Sequence, residues 1–147
     1  MDKALRKKIV DMLAATADMT IATVRPDGWP QATTVSYVSD GLDIYFVTGA
    51  GAQKAKNIAK NGKISLTVDR PYKKWDAIEG ISLGGTAARI TAEDEIARIE
   101  KLMAKKFPQM ADLPASEEAL AFFKITPKVI SVLDYSKAFG HTDTVRL

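Results

Sequence analysis

Asp43-Ile44-Tyr45-Phe46-Val47-Thr48-Gly49-Ala50-Gly51-Ala52-Gln53-Lys54-Ala55-Lys56-Asn57-Ile58 is the stretch on which the reading of this chain turns. It reads as a strand, a tight glycine loop and a short basic helix. Ile44 and Phe46 alternate with Tyr45 and Val47, all of high β-propensity, and Gly49 and Gly51 are expected to take positive φ and let the backbone approach a ligand. Helical spacing resumes at Gln53, with Lys54 in the first turn. A helix N-terminus carries unpaired N–H groups and partial positive charge, so a lysine there is mildly unfavourable unless an anion is bound. Loop amides, the Thr48 hydroxyl and the Lys54 ammonium together make an oxyanion cradle, for which phosphate is the natural occupant. No Walker or dinucleotide fingerprint accompanies it, and a plain glycine turn ahead of a solvated basic helix fits the same residues.

Working outward, 147 residues with 46% apolar content fit one domain, residues 1–147, able to bury a core without staples. The chain has no cysteine and one histidine, His141. Disulfides, thiolate nucleophiles and multi-histidine metal sites are thereby excluded, so redox chemistry needs an organic cofactor or a haem. Asp2, Lys3, Arg6, Lys7 and Lys8 interrupt the N-terminal apolar residues, and no apolar run approaches membrane-spanning length. The expectation is a cytoplasmic protein that engages neither membrane nor nucleic acid. Residues 51–76 nevertheless hold seven basic side chains (Lys54, Lys56, Lys60, Lys63, Arg70, Lys73, Lys74) against Asp69 and Asp76. A basic nucleic-acid-binding module is therefore kept as an alternative of another class, although no recognised motif supports it.

Leu5, Ile9, Met12 and Leu13 fall on one helical face, with Asp2 suited to its start. Met19 to Arg25 reads as a strand ended by the turn Arg25-Pro26-Asp27-Gly28, and Pro30 to Val38 as its hairpin partner. Hydroxyls on that partner point both ways, Thr34 and Ser36 on one face and Thr33 and Tyr37 on the other. Ser39-Asp40-Gly41 turns into the opening strand. The helix from Gln53 stops at Asn61-Gly62, Lys63 to Asp69 is a strand with Ile64, Leu66 and Val68 on one face, and Arg70 to Asp76 is a basic aromatic loop. Trp75 is expected under that loop or at a subunit interface. Ile81 to Ile90 reads as a strand broken at Gly84-Gly85. Thr91-Ala92-Glu93-Asp94 resembles a capping box opening a helix with Ile96, Ile99, Met103 and Phe107 on one side. A loop from Pro108 to Pro114, a short helix capped by Ser116 and running to Phe123, and a last strand from Lys128 to Asp134 complete the order. The tail from Tyr135 to Leu147 has no readable period. Together these predict an α+β, mainly β protein: an antiparallel sheet of six to seven strands curled into a small barrel with flanking helices.

Ile21-Ala22-Thr23-Val24, Asp27-Gly28-Trp29-Pro30, Val35-Ser36-Tyr37-Val38, Ile44-Tyr45-Phe46-Val47-Thr48, Lys54 with Asn57-Ile58, and Asn61-Gly62 follow one another in an order that resembles the pyridoxamine 5'-phosphate oxidase-like family. Several motifs in register are more specific than any one. The resemblance covers roughly residues 5–90 and implies the FMN-binding split barrel, in a homodimer with two FMN molecules at the interface. It implies that Thr33, Val35 and Ser36 line the flavin, that Val47 and Thr48 lie along ring and ribityl chain, and that Gln53 and Lys54 clamp the phosphate. The cradle reached independently at Lys54 coincides with that clamp.

The chain also departs from the family's namesake, which carries arginines where Thr33 and Gln53 stand and an arginine-x-histidine motif that the tail lacks. It looks more like the shorter, general-stress-like members. The implied function is an FMN-dependent oxidoreductase passing hydride or electrons between a donor and a small-molecule substrate. A non-catalytic flavin, deazaflavin or haem carrier is the alternative on the same fold, and FMN and deazaflavin both carry a phosphate near the same helix. Tyr135, Phe139 and His141 are candidates to cover the flavin or meet a substrate.

Overall fold

The computed structural model describes residues 1–114 and 117–147. Lys3–Ala15 forms α1, started by Asp2, whose carboxylate accepts from the N–H groups of Ala4 (3.3 Å) and Leu5 (3.4 Å). Ile9, Met12 and Leu13 are its buried face, so the helical spacing seen in the sequence becomes the plug of the core. At its far end Thr16 Oγ1 donates to Met12 O (2.9 Å) and the buried Tyr37 hydroxyl to Leu13 O (2.7 Å). Carbonyls left over by the last helical turn are satisfied in this way. Burial raises the Tyr37 phenol above the ordinary tyrosine range.

The strands are Asp18–Val24 (β1), Pro30–Asp40 (β2), Asp43–Gly49 (β3), Lys63–Asp69 (β4), Glu79–Ile90 (β5), Leu120–Asp134 (β6) and Thr142–Arg146 (β7). Helix α2, Gln53–Lys60, follows β3, and α3, Glu93–Lys106, follows β5. The sheet runs β3-β2-β1-β4-β5-β6-β7, antiparallel throughout, and a further β3–β6 pairing closes six strands into a barrel with β7 outside it. This is the split β-barrel of the α+β class.

One core fills the barrel, with α1, Met19 and Ile21 of β1, Tyr37 of β2, Phe46 of β3 and the Ile64-Leu66-Val68 face of β4. Phe46 stacks on Phe123 with ring centroids 5.1 Å apart. A second, smaller core lies on the outer surface, where Ile99, Met103 and Phe107 of the α3 side cover Val38 and Tyr45. Lys106 fastens that helix, donating to Thr16 O (2.7 Å) and Tyr37 O (3.0 Å) with its ammonium 4.0 Å from the Tyr37 ring centre. Burial lowers its pKa to about 8.

Three local expectations are corrected. Gly49 and Gly51 do not take positive φ, which among glycines belongs to Gly28, Gly41 and Gly140. Thr91 does not cap α3: the N-cap is Ala92, with no side-chain bond, and Glu93, Asp94 and Glu95 in the first turn supply the favourable charge instead. Leu120 to Phe123 is the start of β6 rather than helix, and Ser116 lies outside the described residues. The unread tail carries β7, paired with Val129–Leu133 of β6. At the break foreseen at Gly84-Gly85 the register shifts, with the extra residue, Lys128, on the facing strand β6, and a Cβ on Gly85 would meet Thr126 O at 2.4 Å.

Candidate functional site

The site follows from where one ladder stops. β2 and β3 pair only from Tyr37↔Phe46 to Asp40↔Asp43. Beyond Phe46, β3 keeps its other edge on β6, as far as Gly49↔Leu120, while β2 back to Pro30 keeps its other edge on β1. The two strands therefore part, and the edges of residues 30–36 and 47–49 face each other without a ladder between them. Tyr37 N–H donates to Ala17 O (3.3 Å) and Arg25 N–H to Trp29 O (2.9 Å). Antiparallel alternation then turns the N–H and C=O of Gln31, Thr33 and Val35 toward β1 and those of Ala32, Thr34 and Ser36 toward the gap. Among the described residues no strand takes up this second set. Ala32 and Thr34 are exposed and Ser36 is half-buried, so these groups are open to water or to a guest with hydrogen-bonding edges.

All five strand residues singled out in the sequence flank this split, but on two faces. Thr33 and Val35 pair with Ile21 and Met19, and Thr48 shares the face of Phe46, so these three look toward the barrel interior. Ser36 shares the face of Val38, and Val47 that of Tyr45, so these two look toward α3. Ser36 Oγ donates to Asp18 Oδ1 (2.8 Å), its cross-strand partner. All five are partly exposed.

α2 closes one end of the split. Ala52 N–H donates to Gly49 O (3.0 Å), making the turn that places Gln53 and Lys54 just beyond β3. No side chain caps this helix and its first turn holds no acidic residue. Lys54, half-exposed, has no ion pair among the described residues. The helix end thus keeps the positive character inferred from sequence.

A network that sequence reading missed fixes Gln53. Asn57, 0% exposed, donates to Thr23 Oγ1 (2.9 Å) and Gln31 Oε1 (3.1 Å) and accepts from Gln53 Nε2 (2.8 Å). α2 is thereby bolted across the β1–β2 hairpin. The signal available was the Gln53/Asn57 pair at i, i+4 on a helix.

Gly49 has another reason to be glycine than the one expected. A Cβ there would lie 1.9 Å from Glu118 Oε1, so the strand end is bare because a glutamate side chain lies against it. A carboxylate therefore sits beside the turn that leads into α2.

The other candidates lie elsewhere. Tyr135, Phe139 and His141 follow the C-terminal end of β6, whereas Leu120 at its N-terminal end abuts Gly49; a strand of 15 residues at roughly 3.3 Å each separates them. Trp75, 66% exposed, packs on Phe139, 78% exposed, with ring centres 5.9 Å apart, and Tyr135 meets Phe139 edge-on at 5.1 Å. Trp75 is thus not tucked under its loop. His141 Nε2 lies 3.1 Å from Asp143 Oδ2, outside hydrogen-bond geometry. No cluster of metal-ligating side chains occurs among the described residues, and none of their helices is long and apolar enough to cross a membrane.

The fold and gap define a split barrel whose parted strands face an uncapped helix end. A family model described as pyridoxamine 5'-phosphate oxidase matches residues 5–134. The chain belongs to the pyridoxamine 5'-phosphate oxidase-like family. No curated protein matches it. Among solved structures, a heme-binding protein from Mycobacterium smegmatis superposes with TM-score 0.78 at 18% identity, over 99% of this chain and 58% of that one. This chain thus spans little more than half of that relative. The heme storage protein HutZ of Vibrio cholerae gives 0.69 at 17% identity over 83% and 89%. An F420 reductase gives 0.63 at 24% over 82% and 94%. At these identities the likeness is one of fold.

Proposed function

We propose that this chain is a flavin-binding oxidoreductase, holding FMN in the split between β2 and β3 as a homodimer. The observation that carries the reading is the parting of the two strands beside a helix N-terminus that no side chain caps. Ala32, Thr34 and Ser36 offer backbone donors and acceptors to the polar edge of a ring, and Val47 offers an apolar face. Thr33, Val35 and Thr48 line the inner side. The α2 amides at Gln53 and Lys54, with the Lys54 ammonium, hold the phosphate, and Asn57 keeps Gln53 aimed. Glu118 is the one poor fit, since its carboxylate beside Gly49 repels a phosphate.

When bound, the flavin supplies hydride or electron transfer; the chain supplies position, charge and access. Lysine at the phosphate end also favours anionic forms of the guest. The exposed Trp75–Phe139 pair is apolar surface in need of cover, which supports the dimer.

The test is the absorbance spectrum of the purified protein, then identification of any chromophore released by heat, then titration of the emptied protein with FMN. Flavin bands and saturable FMN binding are expected. The second reading, a haem carrier, is favoured by the haem-binding relatives and predicts a Soret band with no flavin released. F420 in the released fraction would select a deazaflavin protein instead.

A further inference from the structure

A cavity of about 660 Å³ lies on the outer face of β3 and β6, under the C-terminal half of α3 and the following 3-10 turn, Pro108–Asp112. Its volume falls within the range of small-molecule pockets. Val47, Met103, Phe107, Met110, Leu120 and Phe122 make its wall. Met110 and Leu120 are 42% and 53% exposed, large apolar side chains left to water at its mouth. Among the described residues Glu100 is the only charged group lining it, and it has no ion pair there. Val47 belongs both to this wall and to the split, on the face that Ser36 shares. Cavity and split are therefore neighbours across a single strand, and a molecule in one reaches the margin of the other.

We infer that this cavity is a binding site for an apolar organic cation of about two fused rings, its hydrocarbon body among the methionines and phenylalanines and its ammonium at Glu100. Apolar burial supplies the attraction and the lone carboxylate supplies the choice of charge. An acceptor-only or anionic ligand of the same size leaves Glu100 unpaired or repelled. That the cation is the substrate of the neighbouring flavin rests on the reading above; its binding here does not.

The experiment is calorimetric titration of the full chain, emptied and FMN-loaded, with 1-naphthylmethylamine and, separately, 1-naphthoate at pH 7. The amine should bind at least about fivefold more tightly than the acid. E100Q should erase that preference while keeping part of the affinity. Ala104→Trp, at an exposed helical position lining the cavity, should abolish binding with the melting temperature and FMN affinity unchanged; Ala111→Phe serves if that variant does not fold. Equal binding of amine and acid, or full binding in both filled variants, overturns the inference. So does a dimer that excludes the amine and dissociates in A104W, since a second copy would then be the occupant. Amine binding without any FMN binding leaves this site standing and removes only the flavin reading; FMN binding without amine binding does the reverse.

Discussion

The two halves of the β2–β3 pair are made from the same two strands and have opposite fates. From Tyr37 to Asp40 the partners are each other, with Tyr37 hydroxyl closing α1 and Lys106 closing over the Tyr37 carbonyl. Among the described residues, the facing edges from Pro30 to Ser36 and from Val47 to Gly49 have no strand partner, with Gly49 O taken by Ala52 N–H. The closed half spends its backbone on stability, and the open half keeps it for a ligand. A consequence is that damage to the closed half should unfold the chain, whereas damage to the open half should leave it folded and empty.

The largest expected effect breaks the closed half. Phe46 is fully buried against Phe123, so Phe46→Ala should cost ~3–5 kcal/mol in urea unfolding. Next, Lys54→Ala in the open half should leave unfolding unchanged and weaken FMN by ~1.5–3 kcal/mol, or roughly tenfold to a hundredfold, in a fluorescence titration. A fall in stability as large as the fall in affinity would erase the distinction between the halves.

Acid should attack the closed architecture at a third point. Asp134 at the end of β6 accepts from Lys8 and from Ser136, and these bonds lower its carboxyl to about 2. A depressed carboxylate binds its proton more readily unfolded than folded, so its contribution is complete above the ordinary value near 3.8 and fades as pH falls toward about 2. Asp134→Asn should remove ~1–2 kcal/mol at pH 7 and flatten the acid limb of a stability-against-pH curve, with FMN affinity at pH 7 untouched. The smallest effect is a gain. Glu118→Gln should tighten FMN by about threefold, a surface charge effect that added salt diminishes; a loss of affinity would make Glu118 part of the seat instead of its competitor.

Elements with one wet and one buried face were legible. Ile64-Leu66-Val68 alternates on β4, Leu5 to Leu13 repeats on α1, and α2 begins and ends at the expected residues. Leu120 to Phe123 misled because β6 is apolar on both faces there: Ala121 and Phe123 enter the main core while Phe122 packs, partly buried, against the second. A strand apolar on both sides loses its alternation and imitates a helix. β7 failed for the opposite reason, since Val145 is its one apolar residue and too little for an alternation to show. Of the candidate site, the strand positions that flank the split and the helix start at Lys54 were nominated by family order and the Lys54 anomaly, but the split's shape was not. The split opens where β3 leaves β2 after Phe46 yet stays on β6, Val47 to Gly49 pairing with Phe122 to Leu120, a ladder across more than seventy residues that no local pattern announces.

The central claim is that the parted edges of β2 and β3 are a flavin seat. A crystal structure of the protein grown with excess FMN tests it most directly. The account predicts the ring lying between Ala32–Ser36 and Val47–Gly49 with its phosphate at the Gln53 and Lys54 amides. A flavin bound elsewhere, or a gap closed by direct pairing of β2 with β3, would contradict it.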